Sequence, residues 1–175
     1  MRTHLVSLLL LPLVTTGTGC SQDLAWSTVL ESIRRDYPTV PQLSTDSLAA
    51  WLADSTATPP VLLDVREPDE YAVSHLRGAL RVAPDSFSVA QLDSLPRDTP
   101  IVAYCSVGYR SAAVVQRLRE AGYTRAVNLE GSLFRWANEG RPVYRDGAPV
   151  REVHPYNRLW GRLLDESRRA RLPDR

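Results

Sequence analysis

The stretch Ile101-Val102-Ala103-Tyr104-Cys105-Ser106-Val107-Gly108-Tyr109-Arg110-Ser111 constrains the fold more than any other. An apolar, β-prone run stops at a cysteine, and four residues separate that cysteine from an arginine. Helix formers follow from Ala112 to Ala121, closed by Gly122. The pattern predicts strand, tight loop and helix, with Cys105 at the carboxyl end of the strand. Loop N–H groups and the helix N-terminus then surround its sulfur, an arrangement that binds anions and lowers a thiol's pKa. A cysteine after a strand is often only a small buried apolar residue. Packing explains Gly108 and Arg110 poorly, because glycine serves backbone geometries that other residues avoid and Arg110 brings a full positive charge. On this reading Cys105 is the nucleophile, and Ser106, Val107, Gly108, Tyr109 and Arg110 form the anion-binding loop.

The remaining pattern alternates strands and helices. Residues 25–36 carry Trp26, Val29, Leu30 and Ile33 at helical spacing, after a tether at residues 21–23. Val40 to Ser44 reads as an edge strand, where Pro41 is tolerated. Thr45 is expected to cap a helix to Ala53 with Leu48, Trp51 and Leu52 facing inward. Val61 to Arg66 reads as a buried strand ending in charge, and a short helix starts at Glu67-Pro68. His75 sits in a turn before a strand near residues 79–82, and Phe87 to Leu95 holds a short helix. Ala126 to Leu129 is the last strand, and a helix runs from Gly131 to Asn138. Residues 140–155 read as an arm punctuated by Gly and Pro. Tyr156 to Arg171 reads as a final amphipathic helix with Leu159, Trp160, Leu163 and Leu164 on one face and arginines at its end. Such alternation gives a mostly parallel sheet covered on both faces, with ligands gathering outside the carboxyl ends of the strands. Asp64 and Cys105 both lie at such ends.

The chain begins differently. Arg2 precedes the apolar run Leu5 to Val14, which is too short to span a bilayer comfortably, and small residues lead to Gly19-Cys20. This resembles a bacterial lipoprotein signal with Cys20 as the lipidated residue, although Gly17 stands where an aliphatic residue is usual. Residues 1–19 are then a signal peptide, and acyl chains on Cys20 anchor the protein to a membrane of the cell envelope, on its periplasmic side. With Cys20 lipidated, Cys105 is the only thiol left of the two cysteines. A net charge of +1 gives no argument for a nucleic-acid partner. No cluster of Cys and His has zinc spacing, so neither a metal nor a cofactor is expected.

Three segments together resemble the rhodanese-like sulfurtransferase family. Asp64-Val65-Arg66-Glu67-Pro68-Asp69-Glu70-Tyr71 with His75-Leu76-Arg77-Gly78-Ala79 is similar to its first signature. Cys105 to Ser111 is similar to its active-site loop. Gly122-Tyr123 through Leu129-Glu130-Gly131 to Trp136 is similar to its closing signature, with Ser132 where a second glycine is usual. The resemblance spans about residues 40–143, between an N-terminal tether and helix (20–39) and a C-terminal arm and helix (144–175). It implies a five-stranded, mainly parallel α/β sheet with helices on both faces. It also implies that Cys105 takes the outer sulfur of a donor such as thiosulfate as a persulfide, which cyanide, a thiol or a protein cysteine then removes.

The chemistry is coherent from the residues as well. The thiolate is the attacking species, and a thiol with an ordinary pKa of about 8.5 is largely protonated at neutral pH. Loop amides and the helix dipole stabilise the anion, and the Arg110 fork suits a sulfonate. Asp64 and Arg66 are expected to form a supporting ion pair. Two alternatives remain open. A non-catalytic binding or sulfur-relay module at the membrane would use the same frame, with residues 144–171 as a docking arm. A cysteine phosphatase or arsenate reductase ranks below it, because those phosphatase loops place five residues between cysteine and arginine, and the larger tetrahedral oxyanion needs the wider ring.

Overall fold

The computed structural model describes residues 19–171, with side chains from residue 22 onward. Residues 1–18 of the expected signal segment and the Cys20 side chain lie outside them. The five strands β1 (Gln42–Leu43), β2 (Val61–Asp64), β3 (Leu80–Arg81), β4 (Ile101–Tyr104) and β5 (Ala126–Leu129) form one sheet in the order β1-β5-β4-β2-β3. Every pairing in it is parallel. All four residues of β4, the central strand, are buried, which is why its sequence is apolar throughout rather than alternating.

The pleat sends Ile101 and Ala103 to one face and Val102 and Tyr104 to the other. Against the first face lie α1 (Gly19–Asp36) through Ile33 and α4 (Tyr109–Glu120) through Val114, Val115 and Leu118. Against the second lie α2 (Thr45–Ala53) through Leu48 and α5 (Ser132–Asn138) through Leu133, Phe134, Trp136 and Ala137. A short helix α3 (Pro68–Val73) follows β2.

Several boundaries differ from the sequence reading. Residues 21–23 are helical rather than a tether, since α1 begins at Gly19 and no proline lies between Gly19 and Pro38. Ser44, not Thr45, caps α2: its hydroxyl accepts the Ser47 N–H at 3.0 Å, while buried Thr45 bonds Glu139. Leu52, one turn after Leu48 on the same face of α2, is nonetheless exposed at the rim of a surface cavity that it lines with Ala49 and Leu76. Helix α4 starts three residues before Ala112, which puts Arg110 inside its first turn.

The arm holds a hairpin of β6 (Val143–Arg145) and β7 (Ala148–Val150), turning at Asp146-Gly147. The final amphipathic helix is absent. Trp160–Leu163 and Glu166–Arg168 are separate 3₁₀ turns. Tertiary hydrogen bonds outcompete the intrahelical ones there. Val153 pairs with the Arg168 carbonyl at 2.7 Å, Ala170 returns a bond to Val153 at 3.0 Å, and the Arg168 guanidinium donates to the carbonyls of Ala137 and Arg141. Gly161 weakens the helix further.

The charges ending β2 turn inward. Arg66 Nε and Nη2 donate to Asp64 Oδ1 and Oδ2 at 2.8 and 2.7 Å, and Nη2 also reaches the Ser74 carbonyl at 2.6 Å. Both side chains are wholly buried. The guanidinium lies over the Tyr104 ring, so the pair braces the residue just before Cys105. Removing one partner of such a pair strands a buried charge. Asp64→Asn is expected to lower stability by about 3–5 kcal/mol, read as a fall in the urea midpoint. The double variant Asp64→Leu/Arg66→Met should recover most of that loss; a single variant as stable as wild type would show the pair to be dispensable.

Candidate active site

The central strand hands its chain directly to the loop. Cys105 follows β4 at the carboxyl edge of the sheet, and Gly108 turns the backbone at φ 114°, where a side chain would be strained. That turn aims the Gly108 N–H at Cys105 Sγ, 3.1 Å away. The Gly108 carbonyl is held by Asn128 Nδ2 at 3.1 Å, so the turn is tied to β5.

Cys105 is 1% exposed. Burial pushes its pKa up, yet the Arg110 charge and the N–H groups of Ser111 and Gly108 outweigh that, and the thiol stands below its ordinary value. The buried Ser111 hydroxyl, which has no other partner, faces the same sulfur and adds to the lowering.

Arg110 is fixed by a residue that the sequence reading gave no role. Its Nη1 and Nη2 donate to Glu70 Oε2 and Oε1 at 2.7 and 2.8 Å, and the Ser106 hydroxyl donates to the same carboxylate at 2.6 Å. Glu70 is buried. Burial raises its pKa, Arg110 and Ser106 lower it, and the carboxylate ends below its usual range. The fork expected to receive a sulfonate is thus closed on Glu70. Glu70 belongs to the first turn of α3, where its carboxylate also accepts the Glu67 N–H at 3.1 Å. Its capping position three residues after Glu67 was legible; its reach to a loop forty residues on was not.

Ser132 is the second omission. At φ 50° it makes the turn that a glycine would make, and its hydroxyl accepts the Cys105 N–H at 3.1 Å while donating to the Leu129 carbonyl at 3.0 Å. Leu133 and Phe134 then donate their N–H groups to the carbonyls of Cys105 and Ser106. The start of α5 therefore clamps the nucleophile's backbone.

A cavity of about 160 Å³ opens over the sulfur, lined by Cys105, Ser106, Val107, Tyr109, Arg110, Tyr156 and Trp160. Tyr109 closes one side, with its hydroxyl on Asp36 at 2.6 Å and its ring edge-on to Tyr37. Tyr156 lies 4.8 Å from the Arg110 guanidinium, on its face. Asp64 and Arg66 stay outside the cavity. His75 stacks on Tyr71 at 3.9 Å and joins the hairpin through Tyr144, a structural position. Among the described residues no cluster of three or more His, Cys, Asp or Glu could hold a metal ion, and no helix is long and apolar enough to cross a membrane.

Residues 44–139 match the family model described as Rhodanese-like domain. A sulfurtransferase of Allochromatium vinosum is 33% identical over 104 residues, which are 59% of this chain and 94% of that protein. A probable adenylyltransferase/sulfurtransferase MoeZ of Mycobacterium tuberculosis is 35% identical over 82 residues, 46% of this chain and only 21% of that larger protein. The solved structure of a rhodanese-like domain protein from Staphylococcus aureus superposes with a TM-score of 0.52 at 30% identity, covering 61% of this chain and 99% of that one.

The geometry makes Arg110 the main counter-charge of the thiolate. A cation beside a thiol favours the charged form, so removing it raises the thiol pKa. Alkylation of Cys105 by iodoacetamide, followed against pH, should therefore shift to higher pH in Arg110→Met. An unshifted profile would mean that the loop amides alone hold the anion.

Proposed function

This chain belongs to the rhodanese-like domain family, and from that premise we propose that it is a sulfurtransferase working through a Cys105 persulfide with thiosulfate as donor. The observation that carries the reading is the Gly108 N–H at 3.1 Å from a sulfur whose pKa is lowered despite burial. The Cys105 thiolate attacks the outer sulfur of thiosulfate. A sulfur–sulfur bond forms to Cys105, the donor's own sulfur–sulfur bond breaks, and sulfite departs with that electron pair. Ser106, Val107 and Tyr109 line the path of the anion, and Gly108 turns its N–H to the sulfur. Arg110 holds the sulfur charged, and Glu70 holds Arg110. An acceptor nucleophile (cyanide, a thiol or a protein cysteine) then attacks the outer persulfide sulfur, and the Cys105 thiolate leaves. No separate general base is needed, because the nucleophile is already an anion.

Incubation with thiosulfate should add one sulfur, about 32 Da, to the peptide carrying Cys105, with release of sulfite. Cys105→Ala should abolish both. A Cys105→Ala protein that releases sulfite as wild type does would turn the assignment to a non-catalytic binding module.

We also propose that the protein acts from a membrane of the cell envelope, held by acyl chains on Cys20. The sequence supports this through the apolar run Leu5 to Val14 and the Gly19-Cys20 pair. Mass analysis of the membrane fraction should find the mature chain starting at an acylated Cys20, and Cys20→Ser should move the protein to the soluble fraction. An unmodified Cys20 would remove the anchor.

A further inference from the structure

Two walls of the Cys105 cavity come from outside the family-matched residues 44–139: Tyr156 and Trp160. Building on the sulfurtransferase reading, we propose that this pair sets the size of the sulfur donor, admitting small anions and holding back tripeptide-sized or protein-borne persulfides. Cys105 is 1% exposed, so a substrate must enter the cavity to react. At about 160 Å³ that cavity is well below the ~300 Å³ at which sites for larger ligands begin.

The roof is a built element. Tyr156 sits at φ 62°, a left-handed conformation that a bulky residue adopts at a cost. Its N–H donates to His154 Nδ1 at 3.0 Å, which fixes the turn. Asn157 Oδ1 accepts the N–H groups of Leu159 and Trp160, both at 3.0 Å, and its carbonyl accepts Gly161 at 2.9 Å. A Cβ on Gly161 would come within 2.8 Å of Pro155 Cβ, so the loop closes tightly on itself.

The same segment is fastened to the helix that clamps the nucleophile. Asn138, at the end of α5, donates to the Leu163 carbonyl at 2.8 Å and accepts the Asp165 N–H at 2.9 Å. Arg168 Nε donates to the Ala137 carbonyl at 2.8 Å. The first turn of α5 holds the Cys105 and Ser106 carbonyls. Roof and sulfur therefore hang from one short helix, and the gap between them is fixed by that helix. Discrimination by such a gap is steric and acts on the larger competitor.

The test uses the full chain, wild type against Tyr156→Ala, Trp160→Ala and the double variant. Sulfur loading of Cys105 is measured with thiosulfate and with glutathione persulfide. Labelling of the same peptide is measured with iodoacetamide and with a fluorescein maleimide. Opening the roof should raise kcat/KM for glutathione persulfide relative to thiosulfate by about tenfold or more, and should narrow the iodoacetamide-to-maleimide rate gap in parallel. Tyr156→Phe keeps the ring and should keep the small-substrate preference. Both ratios unchanged in the double variant would overturn the proposal. If no donor loads Cys105 in any variant while the labelling gap still narrows, the sulfurtransferase reading falls and the role of the roof in access stands.

Discussion

A negatively charged sulfur with almost no contact with water has to be compensated by its own surroundings, because burial alone drives a thiol toward its neutral form. Compensation here is graded. The Gly108 and Ser111 amides face the sulfur, a guanidinium stands behind it, and a buried carboxylate fixes the guanidinium. Each of these groups would be costly in isolation. Glu70 without Arg110 would be a buried anion, and Arg110 without Glu70 would be a long side chain with many rotamers. Together they convert a flexible charge into a fixed one, so no reorganisation is needed when negative charge moves along the sulfur. The second buried pair, Asp64–Arg66, does the same one layer deeper, under Tyr104.

The fold supplies what the charges cannot, namely a backbone that stays still. β4 is buried on both faces, and the loop that leaves it is stitched to β5 through Asn128 and to α5 through Ser132, Leu133 and Phe134. The loop has little regular structure of its own, yet its carbonyls at Cys105, Ser106 and Gly108 all have partners. This is the general logic of placing reactive groups on loops held by a rigid scaffold.

What the sequence made legible was what is local. The strand-loop-helix around Cys105 is one unbroken stretch, Ile101 to Glu120, and its geometry follows from β-prone residues, one glycine and a run of helix formers. The parallel sheet followed from alternation, and the Asp64–Arg66 pair from residues two apart. Glu70, Ser132, Tyr156 and Trp160 were not legible as site residues because their partners are remote in the chain. Glu70 reads as an ordinary first-turn acid of a helix, and Ser132 as a turn residue. The last segment misled for a different reason. Leu159, Trp160, Leu163 and Leu164 do fall at helical spacing, but Leu159 is 67% exposed and the others point to two separate neighbours, the cavity and the core. Apolar periodicity reports which residues want burial, and two 3₁₀ turns pinned by Arg168 and Asn157 satisfy that demand as well as one helix would.

The closed fork of Arg110 changes how an anion would be held. A guanidinium that gives both terminal nitrogens to a carboxylate has no free fork for a second anion, and it lies over the Tyr156 ring. A tetrahedral oxyanion entering the cavity therefore finds no open guanidinium fork and must be gripped by loop amides, or must displace Glu70 at the cost of leaving a buried carboxylate unpaired. The thiolate has no such difficulty, since it lies against Arg110 and the Gly108 amide at rest. The arrangement thus favours charge on the sulfur over charge on the ligand. That is the order required when the attacking atom must be ionised before its partner arrives.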